Sequence, residues 1–132
     1  MINEVIVDQF EWANVSFPDT IRSGGLYPCI AVGLLDTKFR RAYLNHESNP
    51  SQGDRMPTFL DGVLEKSAKV DLQVYVTGAI ILDSDDDEDK EYVLKNRKYV
   101  EDLVRKYFED GQTRICWLPA SALGGELIIL SL

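Results

Sequence analysis

The sequence is poor in the residues that build covalent or metal-held frameworks, with two cysteines and one histidine among 132 residues. Two cysteines cannot form a disulfide framework, and in a reducing cytosol both are expected to be free thiols. One histidine and two cysteines also fall short of the four ligands of a structural zinc site unless carboxylates contribute. The sequence therefore predicts a fold that is held together without disulfides or a structural metal.

Basic residues and long apolar runs are also scarce. The net charge is −8, so the chain lacks the basic face that binding to nucleic acid requires. No stretch approaches the roughly 18 apolar residues of a membrane-spanning helix. The N-terminal MINEVIVDQFEW carries acids where a signal peptide carries Lys or Arg, so we expect no membrane insertion and a cytoplasmic location.

What the sequence contains is typical of a globular protein. Hydrophobic residues make up 45% and charged residues 27%, a balance found in folded rather than disordered chains. There are no repeats and no long linker, and the length suits one main core. We therefore predict a single domain over residues 1–132.

Hydrophobic periodicity predicts the order β-β-α-β-α-β-β after a weakly patterned start. The predicted strands span 29–36, 40–46, 71–82, 113–119 and 125–132, and the predicted helices begin near Pro57 and span 87–109. A turn at 36–38 should join the first two strands as an antiparallel hairpin. The polar stretch 46–55 is predicted to be an exposed loop. With hairpins at both ends and few βαβ units, the pattern is α+β.

The acidic run DSDDDED at residues 83–89 resembles the start of a calcium-binding loop. Asp83, Asp85 and Asp87 match the first three ligand positions of an EF-hand. Glu88 and Leu94 stand where that loop needs Gly and Glu, so we interpret the run as a solvated helix start instead.

Cys29 and His46 are the candidate catalytic residues. Cys29 follows a Gly-containing loop and opens a strand, while His46 closes the next strand. The midpoint between them falls in the predicted turn, so a hairpin brings these two strand ends together. A thiol beside an imidazole is a competent nucleophile, but an ordinary core Cys and a surface His fit the same spacing. The second cysteine, Cys116, is predicted to lie in the core.

The segments SGGLYPCIAVGLLD at 23–36 and AYLNH at 42–46 resemble the CheD family of chemoreceptor glutamine deamidases. That family has a Gly-rich turn into a Cys-led hydrophobic strand, an Asp-containing turn, and a strand that ends in Asn-His. VYVTGA at 74–79, the helix at 96–106 and GGELIIL at 124–130 follow in the same order. The resemblance therefore extends over most of the chain.

The resemblance implies a fold and a set of site residues. The fold is a layered αββα sandwich of mixed or antiparallel sheets with outer helices, shared with the catalytic domain of cytotoxic necrotizing factor toxins. Ser23 falls where the family has a Thr that orients the histidine. No metal or organic cofactor is implied. The implied nucleophile, base, orienting residue and substrate or oxyanion loop are Cys29, His46, Ser23, and Gly24, Gly25 and Asn45.

The resemblance also implies a cytoplasmic hydrolase in chemotaxis that deamidates glutamine side chains of a partner protein through a thioester. Water or an amine could resolve that thioester, so deamidation and transglutamination both stay open. Glu47, beside the base, is expected to raise the histidine's pKa. The alternative is a catalytically degenerate module that binds a regulatory partner protein, since Tyr27 and Pro28 replace the usual Gly-Ser. The sequence leaves the oligomeric state undetermined.

Overall fold

The fold consists of eight strands and two long helices in a computed structural model that describes residues 2–131. The strands are β1 (Glu4–Ile6), β2 (Glu11–Ser16), β3 (Thr20–Gly24), β4 (Ile30–Asp36), β5 (Arg41–Glu47), β6 (Leu72–Gly78), β7 (Thr113–Trp117) and β8 (Leu127–Leu130). The helices are α1 (Arg55–Lys66) and α2 (Asp87–Tyr107). Short 3₁₀ helices occur at 69–71, 110–112 and 120–122.

The strands form two sheets. The larger sheet has the order β2-β5-β4-β6-β7, antiparallel except for the parallel pair of β6 and β7. The smaller sheet has the order β1-β3-β8, with β1 parallel and β8 antiparallel to β3. Both sheets are mixed, and the domain is an α+β sandwich, as the sequence predicts.

Strand alternation gives the larger sheet two buried faces. Ile30, Val32 and Leu34 of β4 pack with the apolar stripes of α1 and α2. The opposite face of the same sheet carries Ala31 of β4 and Leu44 of β5, which pack against the smaller sheet. A strand buried on both faces is apolar throughout, which is why residues 29–36 read as a continuous hydrophobic run.

Both long helices cover the same face of the larger sheet. Within residues 2–131 the layers are therefore helices, large sheet and small sheet, and the second helical layer that the resemblance implies does not appear. The outer face of the small sheet instead carries exposed side chains, including Ile6, Leu127 and Ile129. No segment next to β1, β3 or β8 has the helical periodicity that a further layer would need.

The predicted elements are present, and three strands are additional. The weakly patterned start forms β1 and β2, and β3 covers Ser23 and Gly24, which the Gly-containing sequence had marked as loop. The polar stretch at 46–55 is fully exposed only at residues 52–54. His46 and Glu47 are buried at the end of β5, Pro50 is buried too, and Arg55 already begins α1.

The β4–β5 hairpin is fixed by Asp36, the last residue of β4. Its Oδ1 accepts hydrogen bonds from the Lys38 and Phe39 N–H groups, each at 3.0 Å, and its Oδ2 accepts one from the Ser67 hydroxyl at 2.5 Å. Burial opposes the charge on Asp36, but these hydrogen bonds outweigh it and hold its pKa below the ordinary value. The turn thereby sets the register of the two strands that carry the candidate site.

No helix among residues 2–131 combines the length and the apolar character needed to cross a lipid bilayer.

Candidate active site

The hairpin register brings the ends of β4 and β5 together. Ala31 pairs with His46, and Ile30 pairs with Glu47. The pairing of β4 with β6 continues past Ile30, since the Ala79 N–H donates to the Cys29 carbonyl at 2.8 Å. Side chains alternate along a strand, so Cys29 lies on the same side of the ribbon as Ala31 and hence as His46. Cys29 and His46 are therefore diagonal neighbours across the hairpin.

Ser23 of the small sheet completes the arrangement. Its Oγ lies 2.7 Å from His46 Nδ1, and it also lies 2.5 Å from the Val7 carbonyl oxygen. A carbonyl can only accept, so the Ser23 hydroxyl donates to Val7 and its oxygen accepts the Nδ1–H of His46. The neutral imidazole is thus held as the Nδ1–H tautomer, and its lone pair is on Nε2.

His46 Nε2 is buried and has no hydrogen-bond partner among the described residues. The Cys29 thiol, which lies on the same side of the hairpin, makes no hydrogen bond to Nε2 either. Diagonal neighbours on antiparallel strands are about 7–8 Å apart at the backbone, which is consistent with a gap between the two side chains. An unpaired basic nitrogen in a dry site is costly unless a partner reaches it at some stage of function.

Burial controls the protonation of both groups. Cys29 is 5% exposed and His46 is 3% exposed. Burial, with a smaller effect from the Glu47 carboxylate, raises the pKa of the Cys29 thiol. Burial also lowers the pKa of His46, although Glu47 acts in the opposite direction. Glu47 therefore acts in the predicted direction, but burial outweighs it. At neutral pH the pair is an uncharged thiol and an uncharged imidazole.

The loop before Cys29 is held in place by Leu26 and Tyr27. Gly25 has a φ of 72°, a left-handed conformation that favours glycine. Leu26 is fully buried in the core between the sheets, and the Tyr27 hydroxyl donates to Asp85, two residues before α2 begins. Pro28 is exposed and directly precedes the buried Cys29.

Gly78 shapes the other side of the Cys29 backbone. It has a φ of 103°, and a Cβ there would lie 2.5 Å from the Cys29 carbonyl oxygen. Only glycine therefore allows β6 to approach the Cys29 backbone this closely.

Asn45 is not brought together with His46. It belongs to the helix-facing side of β5, where its Nδ2 donates to Glu47 Oε2 at 3.0 Å. The alternation of the strand that turns His46 toward Ser23 turns Asn45 to the opposite face, so Asn45 lies buried within β5 and not in a loop. Gly24 ends β3 and is exposed.

Sequence reasoning missed a buried ion pair behind the site. Glu47 is fully buried, and its two carboxylate oxygens accept from Arg55 Nε at 2.8 Å and from Arg55 NH2 at 2.9 Å. The same guanidinium donates to the Phe10 carbonyl at 2.6 Å, and the Phe10 N–H donates to the His46 carbonyl at 2.8 Å. The pair therefore ties α1, the β1–β2 turn and the end of β5 together. The sequence does contain a signal for this ion pair: an acidic residue, Glu47, ends an apolar strand, and a basic residue, Arg55, begins the next helix.

The structure also tests the sequence predictions for Cys116 and for the acidic run at 83–89. Cys116 is exposed rather than in the core, because β7 is an edge strand and the small sheet does not extend over it. In the acidic run, Asp86 caps α2 by accepting the Asp89 N–H at 2.8 Å, as expected for a helix start. Within residues 2–131 no group of three or more His, Cys, Asp or Glu side chains is arranged to hold a metal ion.

In comparisons with known proteins, the chain matches no protein-family model and no curated protein.

Proposed function

We propose that the protein is a cysteine amidohydrolase that deamidates glutamine side chains of a partner protein. The observation that carries this proposal is the relay from the Val7 carbonyl through Ser23 to His46. It leaves the Nε2 lone pair unpaired on the side of the hairpin that Cys29 shares. A base whose tautomer is fixed by a second hydrogen bond and whose other nitrogen is free is what a thiol nucleophile needs.

The chemistry follows from these atoms. His46 Nε2 takes the thiol proton as Cys29 Sγ attacks the carboxamide carbon, and it then delivers that proton to the departing nitrogen as ammonia leaves. The product is a thioester on Cys29. His46 next takes a proton from a water that attacks the thioester, which yields a glutamate side chain and returns the thiol. Backbone N–H groups in the loop at 24–29 are the proposed donors to the oxyanion.

The burial of both groups adds a requirement to this mechanism. Cys29 is 5% exposed, so substrate can reach it only when the segments that cover it move. The loop at 24–28 directly precedes Cys29 in the chain. That loop is held by the Tyr27–Asp85 hydrogen bond. We therefore propose that binding of the partner protein displaces the loop and brings the thiol and the imidazole into contact.

The pH dependence of kcat/KM tests the role of His46. The base must be neutral, and burial lowers its pKa, so activity should fall with falling pH only below about 6.5, the ordinary value for histidine. Because burial raises the pKa of Cys29, the thiol stays protonated through pH 7–8, and no decline from its ionisation should occur there. Steady-state ammonia release measured from pH 4 to pH 9 gives the profile. A midpoint above 6.5 would contradict the assignment.

The closed site favours a second candidate function, a protein-binding module that has lost catalysis. A thiol that is 5% exposed, with a raised pKa, has the character of a core residue rather than a poised nucleophile. The replacement of Gly-Ser by Tyr27 and Pro28 in the loop before Cys29 points in the same direction.

Alkylation of the two cysteines distinguishes these candidates. Cys116 is exposed and serves as an internal control, so in the free protein it should react with iodoacetamide well ahead of Cys29. If Cys29 is catalytic, its slower alkylation at pH 7 should drop about tenfold or more in His46→Gln, because the base that assists the thiol is gone. Mass spectrometry resolves the two sites. A Cys29 rate that is independent of His46 would favour the binding module.

A further inference from the structure

The edge of β8 that faces away from β3 is an unusual feature of the small sheet. Sheet edges in this protein are otherwise marked by charge: β1 carries Glu4, β2 carries Glu11 and β7 carries Arg114. The four residues of β8 are Leu-Ile-Ile-Leu, with no charge and no proline. Proteins protect such an edge from pairing with other chains, so an unprotected apolar edge indicates a strand that is paired in function.

The hydrogen-bond pattern shows which groups β8 presents on that edge. In β3 the even-numbered residues bond to the β1 side: the Thr20 N–H donates to the Asn3 carbonyl, and the Arg22 carbonyl accepts from the Val7 N–H. Ile21 and Ser23 therefore bond to β8. Their cross-strand partners are Leu130 and Ile128. It follows that Leu127 and Ile129 direct their N–H and C=O groups to the open edge.

The position next to this edge is a groove. In the sandwich β3 packs over β5, and β8 packs over β4, where Leu130 and Ile128 contact Gly33. A further strand beside β8 would lie over β6, and within residues 2–131 none occupies that place. A cleft of about 440 Å³ lies there instead. Side chains of β6 and β7 form its floor, namely Tyr75, Thr77, Arg114 and Cys116.

We propose that this groove takes an extended peptide segment of a partner protein, which adds to β8 as the fourth strand of the small sheet. Backbone hydrogen bonds to Leu127 and Ile129 would hold the segment, and alternate side chains would pack on Tyr75 and Thr77. The site is separate from the Cys29 and His46 pair and does not depend on the proposed catalysis.

Charge indicates the nature of the segment. Arg114 is exposed at the floor of the groove and forms no ion pair among the described residues, in a chain whose net charge is −8. An inward acidic side chain of the segment can pair with it. A second copy of this chain is a poorer occupant, because its β8 brings no acid within Leu127–Leu130 and two chains of charge −8 repel each other. The proposed occupant is thus an extended segment whose inward-facing side chains, at every second position, are an acidic residue between two apolar ones.

The experiment uses a fluorescein-labelled peptide, Thr-Val-Thr-Glu-Thr-Val-Thr, and a matched peptide with Gln in place of Glu. The full chain should bind the Glu peptide saturably in fluorescence anisotropy. The amide protons of Leu127 and Ile129 should become protected from hydrogen exchange, and the alkylation of Cys116 should slow. Arg114→Gln should weaken binding of the Glu peptide and leave the Gln peptide unchanged.

Two variants block the groove in different ways. Ile129→Pro removes an outward N–H that β3 does not use, so binding should weaken about tenfold or more, while Ile129→Val should bind as the parent does. Cys116→Trp fills the groove from β7 and leaves β8 intact, and it should also weaken binding. It therefore tests the groove even if the proline variant loses binding because β8 misfolds.

Three results would overturn the proposal. They are the absence of saturable binding, equal binding by the parent and by Cys116→Trp, and a concentration-dependent dimer in sedimentation that Ile129→Pro converts to monomer. The last would show that a second copy occupies the edge.

Discussion

If the proposed mechanism holds, replacing Cys29 with Ala should abolish ammonia release from a glutamine-bearing protein substrate, because the proposed thioester forms on the Cys29 sulfur. Replacing His46 with Gln should lower kcat about 10²–10⁴-fold, the range for loss of a general base. Gln fills the space of the imidazole and keeps a hydrogen-bonding group near Ser23, so the fold should survive. Coupled-enzyme detection of ammonia measures both effects, and circular dichroism checks the fold.

The chain provides matched controls for these variants. Cys116→Ala removes the other thiol, which is exposed and distant in the sheet order, and should leave turnover unchanged. Ser23→Ala removes the acceptor for His46 Nδ1–H and should lower kcat about 10-fold to 100-fold, while Ser23→Thr keeps the hydroxyl and should restore most of it. Unchanged turnover in Cys29→Ala or His46→Gln would refute the mechanism and leave the binding module.

The hairpin was predictable because its information is local. A continuous apolar run, a turn with Asp36 and an alternating strand specify two antiparallel partners, and symmetry about the turn brings Cys29 and His46 to the same end. The shared face of the two residues was not predictable in this way, because the register depends on the residue at which the turn begins. A slip of one residue would move His46 to the helix side, where Asn45 lies.

The burial of the site could not be read from the sequence. His46 begins a polar stretch, and polar stretches usually form exposed loops. Here Ser23 of β3 and Val7, which directly follows β1, lie against the imidazole, and both come from segments with weak or loop-like patterns. Short strands such as β1 and β3 are specified by pairing with distant residues rather than by their own periodicity, so the layer they form escapes sequence reasoning.

The same reason explains the exposure of Cys116. The sequence ICW reads as a buried strand, but burial depends on how far the small sheet extends over the large one. That sheet has three strands against five, and β7 lies at the end that remains uncovered. The pattern of a strand reports which of its faces are apolar, whereas the position of the strand in the sheet decides how much of either face is covered.

The largest expected loss of stability comes from Arg55→Met, which removes the partner of the buried Glu47 carboxylate. Its effect should be about 2–3 kcal/mol of unfolding free energy, because an ion left buried without its counterion is strongly destabilising. This loss is below the usual range of about 3–5 kcal/mol for breaking a buried pair, because the Arg55 side chain is 38% exposed and water can enter where it leaves. Urea denaturation followed by tryptophan fluorescence measures the change.

Arg22 provides the matched control. It pairs with Glu4 at 2.7 Å on the outer face of the small sheet, where both side chains are more than one-third exposed. Arg22→Met should therefore cost less than about 1 kcal/mol, the usual value of a surface pair. The double variant Glu47→Gln with Arg55→Met removes the buried charge itself and should regain part of the loss. Equal effects of Arg55→Met and Arg22→Met would show that Glu47 is hydrated in solution, and the tie between α1, the Phe10 turn and the His46 strand end would then be weak.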